Sequence, residues 1–269
     1  MSSDFIQMAG KTILVFGVAN KKSVAYAAAR NLEECGVRVI YAVRDQEVKD
    51  KVTRLLPERP VIVCDVESDS DMADLEPRVR EQTLHLDGIV HSIAFANYSQ
   101  GMQPFEKTVK QDFLQAVDIS CFSLLNIVNQ LERMLTEQAA IVTISISTTR
   151  LAADNYGYMA PIKAALNSSV AFLAKSLGKG TRRRVNAVGA GLLKTAASAG
   201  IPGYVDSYLF AEKVIPRGTA LQTGEVADTV TYLLSPRASG INGQVLTVDA
   251  GMELNYFDPE IVRCAVGSK

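Results

Sequence analysis

The stretch "NYGYMAPIK" at residues 155–163 places two tyrosines and a lysine within one short segment. A phenol can donate a proton, and a nearby ammonium can bind hydroxyl groups and stabilise negative charge. If a helix begins at Asn155, a good capping residue, then Tyr156 and Lys163 share one face and lie about 10 Å apart along the axis. Tyr158 would face elsewhere, about 140° round the helix from Lys163, so we expect it to pack.

Composition excludes some classes of partner. The chain has 269 residues, of which 48% are hydrophobic, and a formal net charge of −1. That length suits one large α/β domain with a substantial core. A nearly neutral chain lacks the overall field that would attract nucleic acids or anionic membranes, so we expect neither as a partner. The densest basic run, "TRRR" at 181–184, is interpreted as a solvated turn.

The cysteines and the first residues favour a cytoplasmic protein. The four cysteines are scattered without a C-x-x-C pair, and neither His85 nor His91 lies near one in sequence. We therefore expect reduced thiols, with no metal site and no disulfide framework. The opening "MSSDFIQMAGK" lacks a signal-peptide pattern, and no apolar run reaches the roughly 18 residues of a membrane span.

Apolar runs alternate with helical patterns along the chain. Most predicted strands are continuously apolar, which indicates a parallel sheet covered by helices on both faces. Right-handed crossovers then give a doubly wound, Rossmann-like α/β fold of about seven strands, in one domain over residues 1–269. We interpret segment 192–221 as a small substrate lid. The predicted strands are 11–17, 37–43, 60–66, 87–96, 139–147, 184–191 and 243–251, and the predicted helices are 23–36, 71–84, 109–135, 155–178 and 223–235.

In such sheets, ligands bind at the carboxyl ends of the strands, where the strand order reverses. Gly17 allows a tight turn after the first strand. Ser23 and Val24 open the next helix, whose free N–H groups favour a pyrophosphate. The stretch "GVANKKSVA" lacks two of the three glycines of the usual dinucleotide fingerprint, so by itself it fits a plain turn equally well.

Three further strand ends carry suitable side chains. Arg44 could hold the 2′-phosphate of NADPH, but Asp45 follows it directly, so the choice between NADH and NADPH stays open. Asp65 could accept a bond from the adenine amino group. The small, apolar stretch "HSIAFA" at 91–96 suits a nucleotide packed on the backbone, whereas we expect His91 to be structural rather than a catalytic base.

The spacing between Tyr156 and Lys163 points to a family. Standard short-chain dehydrogenases use Tyr-x3-Lys, but Met159 occupies that tyrosine position here. Tyr-x6-Lys resembles instead the divergent branch of that superfamily, the enoyl-acyl carrier protein reductases of bacterial fatty-acid biosynthesis. The resemblance covers nearly the whole chain and also includes "GVANKKSVA", "CDV", "HSIAFA", "DISCFS", "RVNAVGAG", "KTAASAGI" and "SGINGQVLTVDAG".

This resemblance implies an NADH or NADPH cofactor, an enoyl thioester substrate carried on acyl carrier protein, and a homotetramer. It implies catalytic roles for Tyr156, on the thioester carbonyl, and for Lys163, on the nicotinamide ribose. The candidate cofactor-binding residues are Gly17, Ser23, Val24, Arg44, Asp65, Val66, Ser92, Ile93, Ala94, Lys163, Ala190, Leu193 and Thr195. The candidate substrate-binding residues are Phe95, Ala96, Ile146, Tyr156, Met159 and Ala196.

Four features depart from the family pattern. Ile146 stands ten residues before Tyr156, where the family has a second tyrosine, and Leu192 replaces a proline. Pro161 enters the active-site helix and would weaken the shared-face geometry if the helix began there. Segment 202–212 carries two acids and no Lys or Arg, whereas the family docks acyl carrier protein with basic residues, so a coenzyme A thioester stays open as substrate.

Two other functions stay open at this point. A related reductase acting on a ketone or alcohol would protonate the substrate oxygen directly, but it needs the missing Tyr-x3-Lys spacing. A non-catalytic nucleotide-binding paralogue would fit Ile146 and the missing basic patch, although Tyr156 and Lys163 argue against it.

Overall fold

The computed structural model describes residues 4–152, 156–195, 198, 203–255 and 258–267. Seven strands within these ranges form one parallel sheet in the order β3-β2-β1-β4-β5-β6-β7. The chain reverses its strand order at β1, which pairs with β2 on one side and β4 on the other, so the predicted doubly wound fold is confirmed. The strands are β1 Thr12–Phe16, β2 Arg38–Val43, β3 Val61–Val63, β4 Leu86–His91, β5 Leu135–Ile146, β6 Arg184–Ala190 and β7 Val245–Val248.

Helices connect the strands and cover the sheet. They are α1 Val24–Glu34, α2 Gln46–Leu55, α3 Asp69–Ala73, α4 Leu75–Arg80, α5 Lys110–Val117, α6 Ser123–Leu131, α7 Met159–Gly178, α8 Tyr204–Val214, α9 Thr223–Leu234 and α10 Pro259–Val266. A π-helical segment, Asp118–Phe122, joins α5 to α6. No helix in the described part of the chain is long and apolar enough to cross a membrane.

The strands bury side chains on both faces, as continuously apolar sequences require. Leu14 and Phe16 of β1 join one hydrophobic cluster, together with residues of α4, α6 and α7. Ile13 and Val15 point the other way and join a second cluster with residues of α1 and α9. Two cores therefore sandwich the sheet, which leaves the strand ends as the place for a ligand.

Several predicted boundaries were wrong, for local reasons. The predicted helix 71–84 is two short helices that meet at Asp74, because Pro77 has no N–H to bond the carbonyl of Ala73. The segment 87–96 is, as predicted, a strand that runs into a loop: the strand ends at His91 and the loop follows. Helices α2 and α10 were not predicted, although Asp45 and Asp258 cap their first turns.

The helix that carries Lys163 begins at Met159, not at Asn155, which lies outside the described residues. Tyr156 therefore precedes the helix, and the shared-face argument, which assumed a helix through Tyr156, was wrong in its premise. Pro161 lies in the first turn, where its missing N–H disrupts no bond inside the helix.

Candidate functional site

The loop after β1 meets the end of β4 at the carboxyl edge of the sheet. Gly17 has a φ of +95°, and a Cβ at this position would lie 2.0 Å from the carbonyl oxygen of Ser92. The two backbones approach so closely that only glycine fits at position 17. This close approach forms the narrow floor that a flat nucleotide needs at a strand-order reversal.

The N-terminus of α1 faces this edge of the sheet. Ser23 caps the helix, and its Oγ accepts a bond from the N–H of Tyr26 at 3.2 Å. Val24 is buried in the core cluster that α1 shares with α9. The remaining N–H groups of the first turn have no partner within the helix, so the end of α1 suits a phosphate.

Charged residues follow β2 and β3. Arg44 forms an ion pair with Asp45 at 2.9 Å, and about two thirds of its side chain is exposed. Asp45 also accepts a bond from the N–H of Val48 at 2.8 Å, and these bonds hold the pKa of its carboxyl below the usual range. Asp65 accepts a bond from the N–H of Glu67 at 3.1 Å. The guanidinium of Arg44 is thus the more exposed of the two charged groups at the β2 end.

Val66, which follows β3, and Ile93, which follows β4, both pack against the first core cluster. Ala94, which directly precedes Phe95 in the loop after β4, is exposed, so a ligand has access to the backbone at Ala94. Ala96 packs against the same cluster. These placements agree with a shallow apolar floor over the β4 end.

Phe95 is fixed by a residue whose role the sequence did not reveal. Its N–H donates to the Oγ of Ser120 at 2.8 Å, and that hydroxyl donates back to the carbonyl of Phe95 at 2.9 Å. Ser120 is fully buried in the π-helical segment. It belongs to "DISCFS", a stretch that carried the family resemblance without indicating a role for the serine.

His91 at the end of β4 is part of the scaffold. Its ring lies between the hydroxyls of Thr143, at 2.8 Å, and Ser123, at 2.9 Å. Burial, with a smaller effect of the charge on Lys163, lowers the pKa of His91 to about 3. A histidine that stays neutral and fully partnered is structural, which supports the interpretation made from the sequence.

Lys163 extends from α7 to the end of β5. Its Nζ donates to the carbonyl of Ile144 at 2.8 Å, and the side chain is buried. Burial lowers the pKa of Lys163 to about 8, which the neighbouring Cys121 partly offsets. The ammonium therefore remains charged at neutral pH and has further N–H groups to offer a ligand.

The two tyrosines differ in their surroundings. The hydroxyl of Tyr158 donates to the carbonyl of Asn97, and its ring packs against Tyr98 and Phe113 at centroid distances of 5.1 and 5.7 Å. The side chain of Tyr158 thus has a packing role, as the sequence predicted. The hydroxyl of Tyr98 donates to the carbonyl of Tyr156 at 3.2 Å, which fixes the backbone at Tyr156.

The phenol of Tyr156 is held in its protonated form. Its pKa is raised, first by burial and then by the phenols of Tyr204 and Tyr98. A phenol with a raised pKa stays protonated and can donate a hydrogen bond to an oxygen that gains negative charge. Tyr204 was not among the predicted site residues, although it lies in the segment that we interpreted as a lid.

The end of β5 holds the remaining substrate candidates. Ile146 is half-buried at the last position of the strand. Ser145, which precedes it, points elsewhere, because its hydroxyl bonds Asn167 of α7 at 2.6 Å. Met159 is buried against the core, and Ala196 lies outside the described residues. The strand β5 therefore ends in the apolar side chain of Ile146, at the position where the family pattern has a tyrosine hydroxyl.

The loop after β6 closes the site on its other side. Ala190 and Leu193 are buried in the second core cluster. The N–H of Thr195 donates to the Oγ of Ser198 at 2.9 Å, and that hydroxyl also lies 2.8 Å from the carbonyl of Leu193. These bonds hold Ser198 against Leu193 and Thr195.

Sheet and site together define a Rossmann-like nucleotide-binding fold of the short-chain dehydrogenase/reductase class. The family model described as enoyl-(acyl carrier protein) reductase matches residues 17–253. The chain belongs to the enoyl-(acyl carrier protein) reductase family.

Relatives and solved structures agree over nearly the whole chain. The enoyl-acyl-carrier-protein reductase (NADH) FabI of Nostoc is 36% identical over 93% of this chain and 98% of its own. The enzyme of the same name from Enterococcus faecalis is 34% identical over 91% of this chain and 98% of its own. The crystal structure of the Aquifex aeolicus enzyme has a TM-score of 0.87 at 32% identity, and covers 93% of this chain and 99% of that one.

Proposed function

We propose that this protein is an enoyl-acyl carrier protein reductase of fatty-acid biosynthesis, which uses NADH or NADPH to reduce the trans-2 double bond of an enoyl thioester. The observation that supports this most directly is the buried ammonium of Lys163, which is held at the end of β5 by the carbonyl of Ile144. Tyr156 supplies a protonated phenol just before the same helix. We also infer that residues 1–269 form one nucleotide-binding domain.

The site has the features that a nicotinamide dinucleotide requires. The narrow approach of Gly17 to Ser92 and the open end of α1 suit the pyrophosphate. We propose that Asp65 and Val66 contact the adenine. Three residues after β4 would then line the path of the ribose: Ser92, Ile93 and Ala94. Three residues at and after the end of β6 would flank the nicotinamide: Ala190, Leu193 and Thr195. The bound cofactor supplies the hydride.

Lys163 and Tyr156 would do different work. We propose that Lys163 binds the ribose hydroxyls, since its buried ammonium has N–H groups besides the one on Ile144. Tyr156 donates to the thioester oxygen as negative charge builds there, which stabilises the transition state more than the ground state. Phe95, Ala96, Ile146, Met159 and Ala196 would line the acyl path.

Segment 192–221, with α8 at its centre, would cover the acyl chain. The helix α8 carries two acids, Asp206 in its first turn and Glu212 near its end. Lys194, which precedes α8, and Lys213, near its end, are exposed basic groups close to this lid, whereas Arg217 is paired with Glu225. We propose that these two lysines attract acyl carrier protein in place of the family's usual patch.

The exposed face of α7 supports self-association. Phe172 is 76% exposed, and the neighbouring exposed positions 164, 165, 168 and 171 carry only small side chains. Small residues around one large apolar side chain allow two helices to pack closely. We propose that this face contributes to a homotetramer, and that the protein acts in the cytoplasm.

The test is steady-state oxidation of NADH and of NADPH with crotonyl thioesters of coenzyme A and of acyl carrier protein. We expect turnover with both, and a lower KM for the carrier-protein substrate. Turnover with a β-keto ester and none with crotonyl thioesters would contradict enoyl reduction and favour a ketone reductase. Cofactor binding without turnover on any of these substrates would mean that the chain is not catalytic.

A further inference from the structure

The residue with the proposed catalytic phenol lies outside the regular part of α7. This helix begins at Met159, three residues after Tyr156. Between the two, Gly157 has a φ of +56°, a backbone conformation that residues with a Cβ rarely adopt. The regular bonds of α7 therefore begin too late to hold the backbone of Tyr156, and contacts with another element are needed to position its phenol.

The loop after β4 supplies such a contact through Tyr98. The hydroxyl of Tyr98 donates to the carbonyl of Tyr156 at 3.2 Å. Its ring lies against the next residue: a Cβ at Gly157 would lie 2.9 Å from Cε1 and 3.0 Å from the hydroxyl oxygen of Tyr98. Burial raises the pKa of the Tyr98 phenol, so it keeps the proton that it donates. Glycine at position 157 thus leaves the room that Tyr98 occupies.

Tyr158 makes the reciprocal contact. Its hydroxyl donates to the carbonyl of Asn97, and its ring packs on that of Tyr98 with the centroids 5.1 Å apart. Residues 97–98 and 156–158 therefore exchange two bonds, each from a tyrosine side chain of one segment to a backbone carbonyl of the other. Two crossed bonds and a ring contact restrict the relative position of these segments more than a single bond would.

The loop that contains Tyr98 is itself fixed on both sides. After Tyr98, the N–H and the hydroxyl of Ser99 donate to one carboxylate oxygen of the buried Asp112, at 2.8 and 2.9 Å. Before it, the buried Ser120 bonds both backbone groups of Phe95. Tyr98 therefore projects from a segment tied to α5 and to the π-helical segment, which makes its hydroxyl a rigid support.

The placement of a donor matters for catalysis, because a displacement of about 1 Å can slow a reaction by about 100-fold. The phenol of Tyr98 also acts on that of Tyr156, where it adds to the effects of burial and of Tyr204 in raising the pKa. We propose that Tyr98 is a positioning residue whose hydroxyl, through the carbonyl of Tyr156, holds the phenol of Tyr156 on the thioester oxygen. This inference rests on the proposed reductase function.

The experiment measures kcat and KM for crotonyl thioesters, and the Kd for cofactor, in wild type, Tyr98→Phe and the matched control Tyr158→Phe. Tyr98→Phe removes the hydroxyl and keeps the ring beside Gly157. Its kcat is expected to fall by about fivefold to 30-fold, while KM and the Kd stay within about twofold of wild type. Tyr158→Phe loses a similar bond but leaves that between Tyr98 and Tyr156 in place, so its kcat should stay near wild type. Melting temperatures show whether each variant is folded.

A double-mutant cycle with Tyr156→Phe separates positioning from a general effect on the fold. Because Tyr98 acts through the phenol of Tyr156, Tyr98→Phe should lower kcat no further once that phenol is absent. An equal fold-loss of kcat from Tyr98→Phe in both backgrounds, or a kcat in Tyr98→Phe equal to wild type, would overturn the proposed positioning and leave the reductase function intact. If wild type turned over crotonyl thioesters with neither cofactor, the proposed function itself would fail.

Discussion

The ammonium of Lys163 and the carbonyl of Ile144 lie 2.8 Å apart in a buried site at the end of β5. This bond aims the lysine at the strand ends and leaves its other N–H groups for a ligand. Burial brings its pKa down to about 8, so the charge of this group changes close to physiological pH.

We expect the affinity for cofactor to fall as pH rises through about 8, because the neutral amine binds ribose hydroxyls less well than the ammonium does. The unfolded chain keeps this proton up to about pH 10.4, so between these values the unfolded state binds more protons and Lys163 makes folding more favourable as pH rises. Affinity and stability should therefore move in opposite directions.

Cofactor titration and denaturant unfolding across this pH range measure both trends. Lys163→Met should make both cofactor affinity and stability less dependent on pH over this range. It should also lower cofactor affinity by about tenfold to 100-fold. Lys175→Met, on an exposed position of the same helix, should change neither. Affinity of wild type that stays constant over this range would show that the lysine is not the group that binds cofactor.

Replacement of Tyr156 by phenylalanine should lower kcat/KM for crotonyl thioesters by about 100-fold or more, because the donor to the developing oxyanion is lost. Cofactor affinity should be unchanged. Tyr158→Phe is the matched control: it loses the bond to the carbonyl of Asn97, which should cost about 1 kcal/mol of stability and little activity. Equal losses of activity in the two variants would contradict the assignment of Tyr156.

Arg44 should favour NADPH over NADH. Its guanidinium is exposed, and the ion pair with Asp45 holds it only weakly. Arg44→Ala is expected to raise the Kd for NADPH by about tenfold and to leave that for NADH unchanged. Asp45→Asn can still cap α2 but frees the guanidinium, so it should tighten NADPH binding. Isothermal titration measures the Kd of each variant for both cofactors. An equal change in the Kd for NADPH and for NADH in Arg44→Ala would refute the role of Arg44 in selecting NADPH.

His91 should make the protein sensitive to acid without affecting the pH dependence of catalysis. Its pKa is about 3 when folded and about 6.5 when unfolded, so below pH 6.5 only the unfolded chain takes up the proton. Its contribution to stability is present above this range and is lost as pH falls towards 3. In His91→Gln, the difference in unfolding free energy between about pH 7 and about pH 4 should shrink; an unchanged difference would contradict the buried, neutral state.

The alternation of strands and helices, the parallel sheet and the pairing of Tyr156 with Lys163 as site candidates all followed from the sequence. Runs such as "TILVF" and "RVIYAV" are apolar at successive positions, and only a strand buried on both faces uses such a run fully. The packing of Tyr158 was also predicted, although from a helix that starts later than assumed.

Tertiary contacts decided the rest. Ser120 and Phe95 are 25 residues apart, and Tyr204 and Leu193 are 11 apart, so no local period or cap relates them. Each pair meets because separate elements fold onto the same edge of the sheet. Local patterns specify which face of a helix or strand is buried, and so the sequence by itself determined the fold. Which hydroxyl satisfies which backbone group depends on three-dimensional closeness, and only the folded structure determined that.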